Sequence, residues 1–188
     1  MTAMPVTERM TAEEYLARPY EEQRRGEELI GGELVMHEPR LPHELICTEI
    51  HVALVLWTQA AAQRGLATRP IDVLVGDHDV YGPDVLWYRA DHAPARDADR
   101  PYPVPDLAVE VRSPSTWRYD IGAKKAGYER SGLPELWLGD TATDVVLVFR
   151  RSKPDGPAFD VALELTREEE LSSPQLPGFT LALDDLFA

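Results

Sequence analysis

Asp84 following Pro83, Glu110 following the apolar run Leu107-Ala108-Val109, and the pair Asp120 and Lys124 are the side chains of this sequence best placed to do chemistry together. Two carboxylates delivered by buried strands oppose joint ionisation at close range unless a shared proton or a cation relieves them. A bound divalent metal is a natural relief, and a neighbouring lysine would add a fixed positive charge.

Each of these residues also has a plainer reading. Asp84 after a proline suits a turn in which the side chain bonds its own backbone. Glu110 interrupts an apolar strand, so it needs a partner, and a buried ion pair to Arg112, Arg118 or Lys124 serves as well as a metal. Lys124 and Lys125 suit a solvated helix face. His43, Cys47 and His51 recur at helical spacing and resemble a metal site. The same helix needs apolar packing and no fourth ligand is evident, so the metal reading is set aside for these three.

The elements that must position these groups follow an α/β pattern. Thr11 and Glu14 form a capping box for a short helix that Pro19 ends, and 29–36 reads as strand with a turn or bulge at Gly31-Gly32. Ile46, Ile50, Ala53, Leu54, Trp57 and Ala60 keep a helical period over 42–63, with Pro42 near the start and Gly65 past the end. Strands are expected at 71–75, 85–88, 107–111, 136–138 and 145–149, a surface loop at 90–105, and a helix at 119–131 stopped by Gly132. The tail from Leu176-Pro177-Gly178-Phe179 to Leu186-Phe187 reads as a segment that packs back on the fold and carries no chemistry.

At 188 residues and 44% hydrophobic, the chain is expected to form a single domain over 1–188. It shows neither a membrane-length apolar run nor a signal-peptide core, and its one cysteine, Cys47, excludes an internal disulfide and a cysteine-rich zinc site. A cytoplasmic location is the default expectation. A formal charge of -14 argues against gripping a polyanion over a wide surface. That charge is uneven: residues 154–188 hold eight acids against Arg167, whereas 112–130 hold Arg112, Arg118, Lys124, Lys125 and Arg130 against Asp120 and Glu129. Trp117 and Tyr119 sit within this basic stretch, suited to packing or to stacking on bases.

Glu28-Leu29-Ile30-Gly31-Gly32-Glu33-Leu34, Pro83-Asp84-Val85, Val109-Glu110-Val111-Arg112-Ser113-Pro114-Ser115-Thr116, Asp120 through Lys124 to Tyr128, Gly132-Leu133-Pro134-Glu135-Leu136-Trp137-Leu138 and Leu176-Pro177-Gly178 occur in this order. Together they resemble the Uma family, grouped with restriction endonucleases in the PD-(D/E)XK nuclease superfamily, and the resemblance runs from about the first helix to the tail. It implies a restriction-endonuclease-like mixed β-sheet core flanked by helices, with the site at one sheet end. It implies Mg²⁺, with Mn²⁺ as a substitute, held by Asp84, Glu110 and the backbone carbonyl of Val111. Two residues after Glu110 the superfamily pattern wants lysine, and this chain has Arg112, a poor base. The family's helical Asp-to-Lys-to-Tyr spacing maps instead onto Asp120, Lys124 and Tyr128, so Lys124 is the expected catalytic lysine. Glu28, His43, Arg112 and Asp120 are supporting candidates. Gly31 departs from the family's usual Asp.

The implied activity is Mg²⁺-dependent hydrolysis of nucleic-acid phosphodiesters, DNA before RNA, by a homodimer that offers one site per strand. The alternative is an inactive nuclease-like module that binds nucleic acid or a protein. The nuclease reading requires Asp84, Glu110 and Lys124 to meet in one solvent-accessible cleft.

Overall fold

The computed structural model of the chain describes residues 9–24 and 26–188. Helix α1 (Ala12–Leu16) begins at the expected capping box, in which Thr11 and Glu14 satisfy each other's backbone N–H groups. Strands β1 (Glu27–Ile30) and β2 (Glu33–Met36) then form a hairpin. Gly31 and Gly32 have φ of 57° and 81°, so this two-residue turn needs the left-handed backbone that glycine adopts without strain. The family departure at Gly31 is therefore a turn position.

Helix α2 (Leu41–Gln59) has Pro42 in its first turn as expected and stops four residues before the sequence pattern suggested, ahead of Gln63 and Gly65, both at positive φ. Strands β3 (Leu66–Thr68), β4 (Val73–Gly76), β5 (Asp79–Tyr81), β6 (Val85–Tyr88) and β7 (Leu107–Val111) follow. The expected loop at 90–105 touches β4 through a bridge between Tyr102 and Val73. Helix α3 (Trp117–Tyr119) passes into a π-helical stretch, Asp120–Lys124, and then into α4 (Lys125–Arg130). Beyond it lie β8 (Glu135–Asp140), β9 (Val145–Arg150), β10 (Val161–Leu165), the pair β11 (Glu170–Leu171) and β12 (Leu181–Ala182), and α5 (Leu183–Leu186).

The strands form a four-stranded sheet, β2-β1-β5-β4, a six-stranded sheet, β10-β9-β8-β7-β6-β3, and the small β11-β12 pair. The larger sheet is mixed, because β7 and β8 run parallel across the helical connection while their outer neighbours are antiparallel. Strands β3, β5, β10, β11 and β12 were not expected from the sequence. Strands of two or three residues are too short to show a period, and β10 is an edge strand with no fully buried position, although Val161, Leu163 and Leu165 alternate along it.

Alternation along β7 divides the core. Leu107, Val109 and Val111 pack with Ile46, Ile50, Leu54 and Trp57 of α2, whereas Ala108 packs on the opposite face with Ile30, Tyr81, Tyr128 and Leu133. Glu110 shares the parity of Ala108, so it points between the two large sheets, where α4 closes the space. The tail packs back as expected: Leu176, Phe179, Leu183 and Leu186 join the α2 core, and Phe179 stacks on Trp137 with ring centroids 6.0 Å apart. No helix among the described residues is long and apolar enough to cross a membrane.

The tail is thus core, and Phe179→Ala should lower the unfolding free energy by about 3–5 kcal/mol in urea titrations. Leu45→Ala, at a site 55% exposed, should change it by less than about 0.5 kcal/mol.

Candidate functional site

Lys124 is a fully buried cation, and the site is assembled around it. Its Nζ lies 2.7 Å from Glu110 Oε1, donates to both Glu28 oxygens at 2.9 and 3.1 Å, and lies 3.6 Å from Asp120 Oδ1 one turn earlier. The Tyr81 ring sits 5.6 Å below it. Three carboxylates from β1, β7 and the π-helical stretch therefore share one ammonium group. A π-helical turn at such a position widens the helix and rotates its side chains, a feature common at functional sites.

The helix reaches this depth because Gly127 has no side chain: a Cβ there would lie 2.3 Å from the Tyr81 hydroxyl oxygen. The close approach brings Tyr128 in as well, and its hydroxyl donates to Glu110 Oε1 at 2.5 Å. Lys125, its neighbour on the helix, points away and lies 4.5 Å from the Phe149 ring centroid.

Glu28 is held by more than Lys124. The Gly82 N–H donates to its Oε1 at 2.5 Å, and the His37 ring contacts its Oε2. Asp84 enters β6 at the same sheet end, where its Oδ2 accepts from the Val111 N–H at 2.7 Å and meets His43 Nε2 at 3.2 Å. Glu110 Oε2 and Asp120 Oδ1, both buried, have no hydrogen-bond partner. A buried carboxylate oxygen left without a partner is costly, and it is the donor a hard cation would take up. With Asp84 and the carbonyl of Val111 at the end of β7, Glu110 Oε2 fits the oxygen set expected to hold Mg²⁺.

Burial, reinforced by the charges of Glu28, Asp120 and Asp84, pushes Glu110 up to about 8 despite Lys124. Burial with Glu28 and Asp84 likewise pushes Asp120 up to about 7. Burial also opposes ionisation of Glu28, but Lys124 and His37 outweigh it and hold that carboxyl at about 2. On Lys124, burial is overcome by Glu110, Glu28 and Asp120, which keep the ammonium protonated well above the usual lysine range. At neutral pH the metal-free cluster therefore pairs a charged Lys124 with a charged Glu28, while Glu110 is mostly protonated and Asp120 shares its proton with solvent about evenly, protons that a cation would displace.

The structure brings together Asp84, Glu110, Lys124, Glu28, Asp120 and His43. It does not bring in Arg112, whose guanidinium pairs with Asp140 at 2.9 and 3.1 Å and lies over the Trp117 ring. Of the three ion-pair partners the sequence offered Glu110, Lys124 takes the position. The expected openness is not met either: Asp84 is 6% exposed, Glu110 1% and Lys124 0%. The lysine draws carboxylates from three elements around itself, and their packing shuts out solvent. His37 was missed, and its only local signal is its place at the end of β2, across the hairpin from the β1 strand that carries Glu28.

A mixed sheet that gathers acids and a lysine at one end is the architecture of a restriction-endonuclease-like protein. The chain belongs to the Uma2 family, described as "Putative restriction endonuclease", whose model matches residues 12–184. Its fold is similar to the crystal structure of a "putative nuclease belonging to DUF820" from Anabaena variabilis, with a TM-score of 0.78 and 19% identity over 95% of this chain and 97% of that one. No curated protein matches the chain.

The raised carboxyls set a pH signature. Glu110 and Asp120 favour the folded state fully below about pH 4, where both states are protonated, and this contribution is lost as pH rises through about 7 to 8. Glu28 acts oppositely, its contribution being lost as pH falls toward about 2. In chelator, unfolding free energy should therefore fall by at least about 1 kcal/mol between pH 5.5 and 8.5, and Glu110→Gln should flatten that fall. A pH-independent wild-type curve in denaturant titrations would contradict the assignment.

Proposed function

We propose that the chain is a metal-dependent nuclease that hydrolyses phosphodiester bonds of nucleic acid, DNA in the first instance. The observation that carries the proposal is the unpartnered Glu110 Oε2, buried at the sheet end where Asp84 and Val111 also lie and beside a lysine kept charged by its surroundings. Membership of the nuclease family supports it.

In this proposal Asp84, Glu110 and the Val111 carbonyl hold Mg²⁺ or Mn²⁺, which supplies polarisation of the phosphoryl oxygens and acidification of a water. The chain's own residues do the rest. Tyr128 fixes Glu110 by donating to Oε1, which leaves Oε2 free as a ligand. Val111 N–H and His43 orient Asp84. Glu28, itself pinned by Gly82 and His37, anchors Lys124. A lysine this firmly protonated is no general base, so its role is electrostatic: it orients the attacking water or stabilises charge that grows on the phosphate. Arg112, committed to Asp140, has no part in the reaction.

A homodimer belongs to the proposal, since cutting both strands of a duplex calls for two sites. Leu41, Leu45, Val52 and Leu56 form an exposed apolar stripe along α2 that suits a second copy.

One observation favours the alternative, an inactive binding module: Lys124 is saturated by carboxylates and closed to solvent. Calorimetric Mg²⁺ titration separates the two. A nuclease site should bind the ion with an affinity that falls at least about tenfold in Glu110→Ala or Asp84→Ala, whereas a structural ion-pair cluster should show no such dependence.

The decisive experiment is a cleavage panel over double-stranded DNA, single-stranded DNA and RNA with Mg²⁺, Mn²⁺ or chelator. Cleavage should require metal and fall at least about a hundredfold in Lys124→Met, which keeps the side-chain length and loses the charge, with Mg²⁺ binding retained. Lys125→Ala and Arg112→Ala should keep most activity. Full activity in Lys124→Met, or its loss in Arg112→Ala, would overturn the assignment of the lysine.

A further inference from the structure

Beside the acidic cluster lies a second set of donors with different chemistry. His43 and Cys47 face inward from adjacent turns of α2, and Asp84 reaches them from the start of β6. One donor atom from each of these three residues lies within 4.8 Å of the others. The Cys47 Sγ to His43 Nε2 separation is 3.8 Å, and His43 Nε2 to Asp84 Oδ2 is 3.2 Å. A tetrahedral zinc ion, with bonds of about 2.3 Å to sulfur and about 2.0–2.2 Å to nitrogen and oxygen, spaces such ligands about 3.3–3.6 Å apart. The His43–Asp84 and His43–Cys47 pairs already stand close to that spacing, and Cys47 and Asp84 lie within 4.8 Å of each other.

We infer that His43, Cys47 and Asp84 form a binding site for a borderline-soft divalent ion of the Zn²⁺ type, and that this ion competes for Asp84 with the hard cation of the proposed nuclease site. Thiolate and imidazole select against Mg²⁺, so the two sites differ in the metal they prefer while sharing one ligand. The surroundings suit the imidazole. Its Nδ1 lies 3.5 Å from Glu44 Oε1, so a carboxylate charge stands beside the ring nitrogen remote from Asp84.

Charge balances as well. The dication meets one thiolate and one carboxylate, the thiol proton leaves to solvent, and the adjacent Arg69 and Glu44 pair with each other at 3.2 Å. His51, which the sequence placed in register with His43 and Cys47, is not in this set. The third ligand comes from 41 residues away in sequence, and it is an acid.

The competition rests on the nuclease reading; the site itself does not. Co²⁺ is the probe, because a cobalt–thiolate bond gives a near-ultraviolet charge-transfer band and Cys47 is the only cysteine of the chain. Titrating the 188-residue chain should produce a saturating band that Zn²⁺ removes. The band should be absent in Cys47→Ser and Cys47→Ala, of which at least the more stable should keep the wild-type circular dichroism, and present in Glu110→Gln. In an Mg²⁺ cleavage assay, Zn²⁺ should suppress wild type at least about tenfold and Cys47→Ser less than about twofold.

A folded wild type without the band, or a folded Glu110→Gln that loses it, overturns the inference whatever the cleavage result. So does a band that Zn²⁺ leaves unchanged, or equal zinc suppression of wild type and Cys47→Ser. A band in a wild type that cleaves nothing supports the soft-metal site and removes the nuclease reading alone.

Discussion

Burying one ammonium group organises this fold's interior. A lysine removed from water is expensive unless its charge is answered at close range, and Lys124 is answered by Glu28, Glu110 and Asp120 together. Those partners sit on the four-stranded sheet, on a central strand of the six-stranded sheet and on the connecting helix. The cation therefore fixes how the two sheets and the helix meet, and the glycine at position 127 and the π-helical turn are the local means of getting it there. Removing the ammonium itself would leave its buried carboxylates uncompensated, which costs several kcal/mol in typical proteins.

One positive charge does not satisfy three carboxylates. The surplus is carried as protons on Glu110 and Asp120 and as a buried oxygen with no donor. A cluster that served stability alone would gain from replacing one of these acids with an apolar or amide side chain, and this imbalance is what supports the proposed cation site. Tyr128 and the Val111 N–H reinforce it by occupying particular carboxylate oxygens and leaving Glu110 Oε2 unused.

Asp84 connects this acidic centre to a histidine–cysteine pair on the opposite side of the sheet end. Helix α2 is otherwise an apolar packing element, and its core-facing row continues through Ile46, Ile50, Leu54 and Trp57. The two polar members of that row sit where the strand end brings a carboxylate within reach.

The sequence by itself determined the elements whose signals are local. The capping box at Thr11, the glycine turn of the first hairpin, the helix expected over 42–63 and formed over 41–59, the apolar strand carrying Glu110 and the apolar tail were all legible, because each depends on neighbours within a turn or a strand. The resemblance in ordered motifs indicated the fold class and singled out Asp84, Glu110 and Lys124. Only the tertiary structure decided which charges meet. Lys124 pairs with Glu28 across 96 residues of sequence, Arg112 turns to Asp140 rather than toward Glu110, and the third donor beside His43 and Cys47 is Asp84 rather than His51. No period or propensity encodes such partners. They follow from the register of strands and the depth of a helix, which exist only once the chain has folded.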